Sequence, residues 1–344
     1  MLSDGRAYSA CPGVVKLKAC PRSRQRRGAT PAVHHSCDIG HGWHGICPGN
    51  ELLTTQGQAM IIDCHVHLNR YGDEDSADLT ERYRRLRSEM DRHGVDYALV
   101  LSSYLGNENR PDAHEILDVV SGDPHIGVVA AVSYLNYRAA DLAELRVLLS
   151  AGLIKGLKLY PGYEPFYVHD ARMRVVYELA GEFDVPVMIH TGDTYDPKGK
   201  VKYAHPLEVD EVAVDFREVT FVICHLGNPW ITDAMEVIYK NPNVVGDISG
   251  FTLGHFEERF EKFMLQQVNE VVAFAGDPSK LLYGTDWPIC DMGSYQRFVR
   301  NLHLSPEETE LVLWKNTARL FRIDTAAIPK NTADPAAASA EPRV

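Results

Sequence analysis

Two histidines, His65 and His67, close the short apolar run MIIDCHVH, which begins at Met60. Side chains alternate along a strand, so positions i and i+2 face the same way and two imidazoles can converge on one point. Three more polar residues stop apolar runs in the same manner: His190 in VPVMIH, His225 in VTFVICH and Asp286 in LLYGTD. One strand-end histidine is usually a hydrogen-bonded structural residue; four with an aspartate call for a cation. Neutral imidazoles and one carboxylate suit a single divalent ion, Zn²⁺ best among the first-row metals. Such an ion lowers the pKa of bound water toward about 7 or polarises a substrate oxygen.

These residues must be positioned by the elements they terminate. Apolar runs read as strands at 60–63, 97–103, 126–132, 154–160, 185–190, 219–225, 244–249 and 281–286. Helical patterns lie between them. Leu79, Tyr83, Leu86 and Met90 recur at helical spacing before Gly94, and Leu142, Leu145 and Leu149 form another stripe. Further helices are expected near 111–121, 206–216 and 256–274, and after Asp170 and Thr232. Beyond the eighth run, Ser305, Pro306 and Glu308 form the signature of a capping box.

Eight nearly continuous apolar runs alternating with amphipathic helices predict an α/β fold, a (β/α)8 TIM barrel whose strands are covered on both faces. An open doubly wound sheet needs fewer strands and a glycine-rich turn after the first, which is missing here. In a barrel the chemistry sits at the C-terminal ends of the strands, which is where the histidines and Asp286 fall.

The ends of the chain read differently. Residues 1–59 lack helix or strand period and carry seven Lys/Arg against three Asp/Glu, so the remainder of a chain of net charge −12 holds −16. A zinc module built from Cys37, His41, His44 and Cys47 fits no finger spacing well. The preferred reading is a disordered extension or a mistaken start, with Met60 the functional beginning. The Ala/Pro-rich end, 326–344, is expected to be a disordered tail, which leaves 60–325 for the barrel. An acidic body argues against nucleic acid and anionic membrane surfaces, and no apolar run approaches a membrane span. Only Cys64, Cys224 and Cys290 lie in that body, as befits a reducing, cytoplasmic setting. The expected partner is a small-molecule substrate; a homodimer is the assembly to expect by frequency alone.

The order HxH, strand-five His, strand-six His and strand-eight Asp resembles the amidohydrolase superfamily. The phrases IDCHVHLN, IKGLKLYPGYEPFY, VPVMIHTGD, CHLGNPW, NPNVVGDISG, LLYGTDWP and KNTARLFRI are similar to its amidohydrolase-related branch, which includes aminocarboxymuconate-semialdehyde decarboxylase. The resemblance spans about Met60 to Ile323. It implies His65, His67, His190 and Asp286 as ligands of one metal ion, and His225 as a residue beside the metal that activates water or holds developing charge. It implies either a hydrolase, in which His225 or Asp286 moves the proton of the attacking water, or a non-oxidative decarboxylase of an aromatic or muconate-type acid. A non-catalytic ligand-binding barrel is the third reading, and the intact donor set argues against it.

Other positions carry weaker signals. Lys158 shares strand parity with Tyr160; it reads as a cationic contact to an acidic substrate, a carbamylated bridge between two metals, or a structural salt bridge. Tyr160, Tyr163, Phe166, Tyr167, Asn228 and Trp230 either line a substrate pocket or pack the rim. Asp247 either orients a ligand histidine or bonds barrel backbone. Arg138 reads as surface. Parity points Cys64 and Cys224 away from the barrel axis, into the packing outside it.

Overall fold

The computed structural model describes residues 60–329. The expected extension and the Cys37/His41/His44/Cys47 cluster lie outside them, as does the tail beyond 329. Eight parallel strands form one sheet in the order β1 to β8: β1 (Ile62–Val66), β2 (Tyr97–Leu101), β3 (Ile126–Ala131), β4 (Gly156–Leu159), β5 (Val187–Ile189), β6 (Phe221–Ile223), β7 (Val244–Asp247) and β8 (Leu281–Leu282). The ring closes through backbone: Cys64 N–H donates to the Tyr283 carbonyl at 3.0 Å and Asp286 N–H to the His65 carbonyl at 2.8 Å. The TIM barrel anticipated from the apolar runs is therefore the fold.

The intervening helices are α1 (Leu79–His93), α2 (Ala113–Val120), α3 (Ala139–Ser150), α4 (Arg174–Phe183), α5 (Glu208–Asp215), α6 (Ile231–Lys240), α7 (Glu258–Ala275) and α8 (Met292–Arg300). Their ends follow local chemistry. Asp78 caps α1 by accepting from Thr80 N–H, and Gly94 ends it in the left-handed region at φ 64°. The capping box of Ser305 and Glu308 opens a last helical stretch at Pro306. Helix α8 has no counterpart among the expected elements, although Asp291 caps it and Tyr295, Phe298 and Val299 bury one side.

Two apolar bodies sit on either side of the strands. Alternate residues such as Val100, Val128, Leu159, Ile189 and Ile223 pack outward against the helices. Their neighbours Ile62, Leu99, Val129, Met188, Val222 and Leu282 fill the inside of the barrel. Cys64 and Cys224 belong to this inner cluster, which corrects the parity reading that placed them outside. The reason lies in β1. Asp63 pairs with Ala98 and Val66 with Val100, so Cys64 and His65 together oppose the single residue Leu99. This is a β-bulge, and it lets two consecutive residues serve the interior. At the foot of the fold Ile328 packs into the inner cluster, so the packed chain continues past the expected boundary at residue 325.

Candidate active site

The strand ends converge at the mouth. His65 sits in the bulge of β1 and His67 just past its end, and the turn following β8 brings Asp286, at φ 69°, against both. The Asp286 Oδ1 atom lies 3.2 Å from His67 Nε2 and 3.8 Å from His65 Nε2. After β6 the chain turns through left-handed conformations at His225 (φ 60°) and Leu226 (φ 44°). This turn sends the His225 ring inward, its centroid 4.9 Å from that of His65, while Leu226 packs outward. Gly250 is required beside it, because a Cβ there would stand 2.5 Å from His225 Nδ1.

Hydrogen-bond partners fix the tautomers, since a carbonyl or carboxylate oxygen can only accept. His67 Nδ1 donates to the Leu101 carbonyl at 3.0 Å, and His65 Nδ1 to Asp247 Oδ2 at 2.9 Å. His225 Nδ1 lies 3.1 Å from the Ser249 carbonyl. Each of these rings thus keeps a free Nε2 lone pair. Asp247 anchors the set: its Oδ1 accepts from His225 N–H, Ser249 N–H and Ser249 Oγ, at 2.9, 3.1 and 2.5 Å. Of the two roles read for Asp247, orientation of a ligand histidine is the one the geometry adopts.

Burial and charge set the protonation states. Desolvation drives the His65 pKa down to about 3, with the nearby Lys158 ammonium acting in the same direction. His190 and His225 are also lowered, burial being the leading cause for both. Burial would raise Asp247, but hydrogen bonding and charge from His65 outweigh it and hold the carboxylate below its usual range. Asp286 is likewise held low against its burial by the imidazoles beside it, His67 first among them. The mouth therefore presents His65, His190 and His225 as neutral imidazoles and Asp286 as an anionic carboxylate, the forms in which these groups bind metal.

The donors of His65, His67 and Asp286 all lie within 4.8 Å of one another and fit a divalent ion. The atoms of His65, His225 and Asp247 are as close, but the Nδ1 atoms of both histidines are committed to Asp247 and Ser249. His190 stands apart from the tight trio. Its ring is 5.1 Å from that of His225, and its Nε2 donates to the Asp193 carbonyl at 3.0 Å, which leaves Nδ1 as its free donor.

The cleft above has two lobes that share His190, His225 and Asp286. The first, about 150 Å³, is walled by Tyr71, Tyr104, Tyr160, Tyr163 and Tyr195 and floored by Lys158. The second, about 360 Å³, runs past Asn228 to Phe251 and Leu253. Lys158 is fully buried, and its Nζ donates to Cys224 Sγ at 2.8 Å, a partner available because both face the axis. Tyr160 donates to the Ser102 carbonyl at 2.8 Å. Trp230 stands outside the cleft, its ring 4.8 Å from His205, and Phe166 stacks on Tyr134 at 4.4 Å. Arg138 is exposed, paired with Asp141. Sequence reasoning did not single out Asn69, Tyr71, Tyr104, Arg110 and Tyr195; all but Tyr195 lie in the loops after β1 and β2, so the strand-end rule applied to aromatics would have found Tyr104.

A parallel eight-stranded barrel with histidines and an aspartate gathered at its mouth defines a class of metal-dependent enzymes. The chain belongs to the amidohydrolase family, whose model matches residues 62–323. Among solved structures it is similar to an uncharacterized TIM-barrel protein from Bordetella bronchiseptica, with 22% identity over 76% of this chain and 98% of that one, at a TM-score of 0.60. It is similar to a probable 2-pyrone-4,6-dicarboxylic acid hydrolase from Acinetobacter baumannii with citric acid bound (19% identity, 76% and 99% covered, TM-score 0.55). A dihydroxybenzoic acid decarboxylase from Polaromonas, with bound manganese and an inhibitor, is similar at 15% identity, 80% and 100% coverage and a TM-score of 0.56. At these identities the likeness is one of fold. No curated protein matches the sequence. Among the described residues no helix is long and apolar enough to cross a membrane.

Proposed function

We propose that this chain is a metal-dependent hydrolase that cleaves a C–N, lactone or ester bond of a small molecule, with His65, His67, Asp286 and His190 as donors to one divalent ion. The observation that carries the reading is the free Nε2 of His225, aimed into a cleft that continues on both sides of the donor trio. Cleaving an ester or amide into two fragments needs room on each side of the reacting atom, and opening a lactone needs room for the ring that unfolds. When bound, the ion supplies Lewis acidity, polarising a carbonyl oxygen and acidifying water.

The chain's own residues do the rest. His225, kept neutral by burial, starts as a proton acceptor, and its Nδ1–H bond to the Ser249 carbonyl stabilises the imidazolium that forms. It then returns the proton to the leaving group. Asp286 stays anionic and acts as a donor to the ion. The apolar inner cluster beneath excludes water from below, which strengthens the electrostatics at the mouth. Zn²⁺ suits these N/O donors, and Mn²⁺, present in the Polaromonas decarboxylase, suits them as well.

Non-oxidative decarboxylation is the second reading, favoured by the buried cation Lys158 on the floor of the tyrosine-walled lobe, a place for an acidic substrate. In that reaction His225 or Asp286 would deliver the proton to the carbon that loses CO₂. A panel of lactones, esters, amides and carboxylated aromatics, assayed with and without chelator, separates the two. Chelator-sensitive ring opening or bond hydrolysis supports the first; CO₂ release from a carboxylated aromatic, with no hydrolysis, replaces it with the second.

A further inference from the structure

The tyrosine-walled lobe also holds a positive charge left without an ionic partner. Arg110, in the loop between β2 and α2, is half-buried and lines the same cavity as His65, His67 and Lys158. Its guanidinium carbon lies 4.5 Å from the centre of the Tyr71 ring. Two arginines of α1 are paired with carboxylates, Arg85 with Asp75 at 2.6 Å and Arg87 with Asp123 at 3.1 Å. No carboxylate among the described residues lies within 4.0 Å of Arg110, so its charge is free to meet a ligand.

The loop does not leave this residue to chance. Arg110 N–H donates to the Asn107 carbonyl at 2.9 Å, and Asn107 N–H returns a bond to Arg110 at 3.0 Å. Arg70 N–H ties the same turn to the loop after β1 through the Asn109 carbonyl at 2.8 Å, and Arg82 Nη2 reaches the Glu108 carbonyl at 3.3 Å. The ring behind Arg110 is held as well. Asn69, only 5% exposed, donates through Nδ2 to the Tyr71 hydroxyl at 3.1 Å, while its Oδ1 is buried with no hydrogen-bond partner. The Asn69 amide thereby holds the Tyr71 ring on which the Arg110 guanidinium rests.

We propose that Arg110 is the specificity residue that receives a carboxylate on the end of a planar substrate remote from the reacting bond. The assignment rests on His65, His67 and Asp286 as the reacting centre. A guanidinium backed by an aromatic ring presents its planar fork to a carboxylate in two parallel hydrogen bonds. The tyrosine walls match a flat molecule, and in a chain of net charge −12 an anion requires a local cation to be held. Lys158 does not serve this end of the lobe, because its ammonium is engaged with Cys224 on the floor.

The test is calorimetric titration of the metal-loaded protein with benzoate, isophthalate and terephthalate. One carboxylate of each probe can occupy the metal centre, so benzoate reports that site and the second carboxylate of the others reports Arg110. At least one dicarboxylate is expected to bind about tenfold or more tightly than benzoate. Arg110→Met should erase that gain while leaving benzoate affinity as it was, and Arg110→Lys should restore part of it. Equal affinity for benzoate and both dicarboxylates in the unmodified protein, a gain that survives in Arg110→Met, or no binding of any of the three, overturns the proposal. The hydrolase reading fails separately: an Arg110-dependent gain in a protein that hydrolyses nothing leaves this assignment standing.

Discussion

The inside of the barrel is two environments stacked along one axis. The lower half is filled by Ile62, Leu99, Val129, Met188, Val222 and Leu282, and the mouth carries His65, His67, His190, His225 and Asp286. On two strands the boundary falls between consecutive residues, Cys64 to His65 and Cys224 to His225. The contrast teaches that the floor tunes the mouth. A dry, closely packed plug denies the imidazoles solvent from below, and desolvation is the leading cause of every lowered histidine at the site. The plug should thus govern stability, and the mouth metal binding and rate.

Substitutions can break that division. The largest effect is expected from His65→Ala or Asp286→Ala, which should lose the ion and all but a residue of activity while the protein remains folded, checked by elemental analysis and circular dichroism. Next is His225→Asn, which should keep the ion and lower kcat by about 10²–10⁴-fold, the contribution of a positioned general base; loss of the ion instead would make His225 a ligand. In the plug, Met188→Ala should cost about 2–5 kcal/mol of unfolding free energy in denaturant titration and leave metal affinity nearly unchanged. A smaller change is expected from Asp247→Asn, which loosens the His65 ring and should weaken metal binding by about 10–100-fold in a chelator competition.

The pH dependence sharpens the same contrast. His65 has its folded pKa lowered from 6.5 to about 3, so the unfolded chain binds more protons throughout that window. The share of the metal-free protein's stability that His65 contributes then falls as pH drops from about 6.5 toward about 3, and it is present above 6.5. Asp63, whose burial pushes its carboxyl up to about 7, contributes with the opposite sign over the same window, so the check is the difference in thermal unfolding between the unmodified protein and His65→Asn, which should shrink from pH 7 to pH 5.

The sequence displayed the barrel well because parallel strands buried on both faces must be apolar throughout, and their interruptions are visible as composition. The histidines and Asp286 were legible for the same reason: each is the polar residue at which an apolar run stops. What escaped was conformation that composition does not encode. The bulge in β1 and the left-handed turn at His225 and Leu226 each change which face a residue serves, so counting parity sent Cys64 and Cys224 to the wrong side and hid the Lys158–Cys224 contact. Helix α8 was missed because its buried residues Ser294 and Gln296 blur its apolar stripe. Arg110 and Tyr71 were not read because loops carry no period; only the fold brings them to the lobe.

The central claim is that the mouth of this barrel holds one divalent ion through His65 and its neighbours. Elemental analysis of the full chain and of its His65→Ala variant, each purified in the same way and reloaded with Zn²⁺ or Mn²⁺, tests it most directly. The account predicts one ion per chain that is lost in the variant; a metal content that is zero in the unmodified protein after reloading, or unchanged by the substitution, would contradict it.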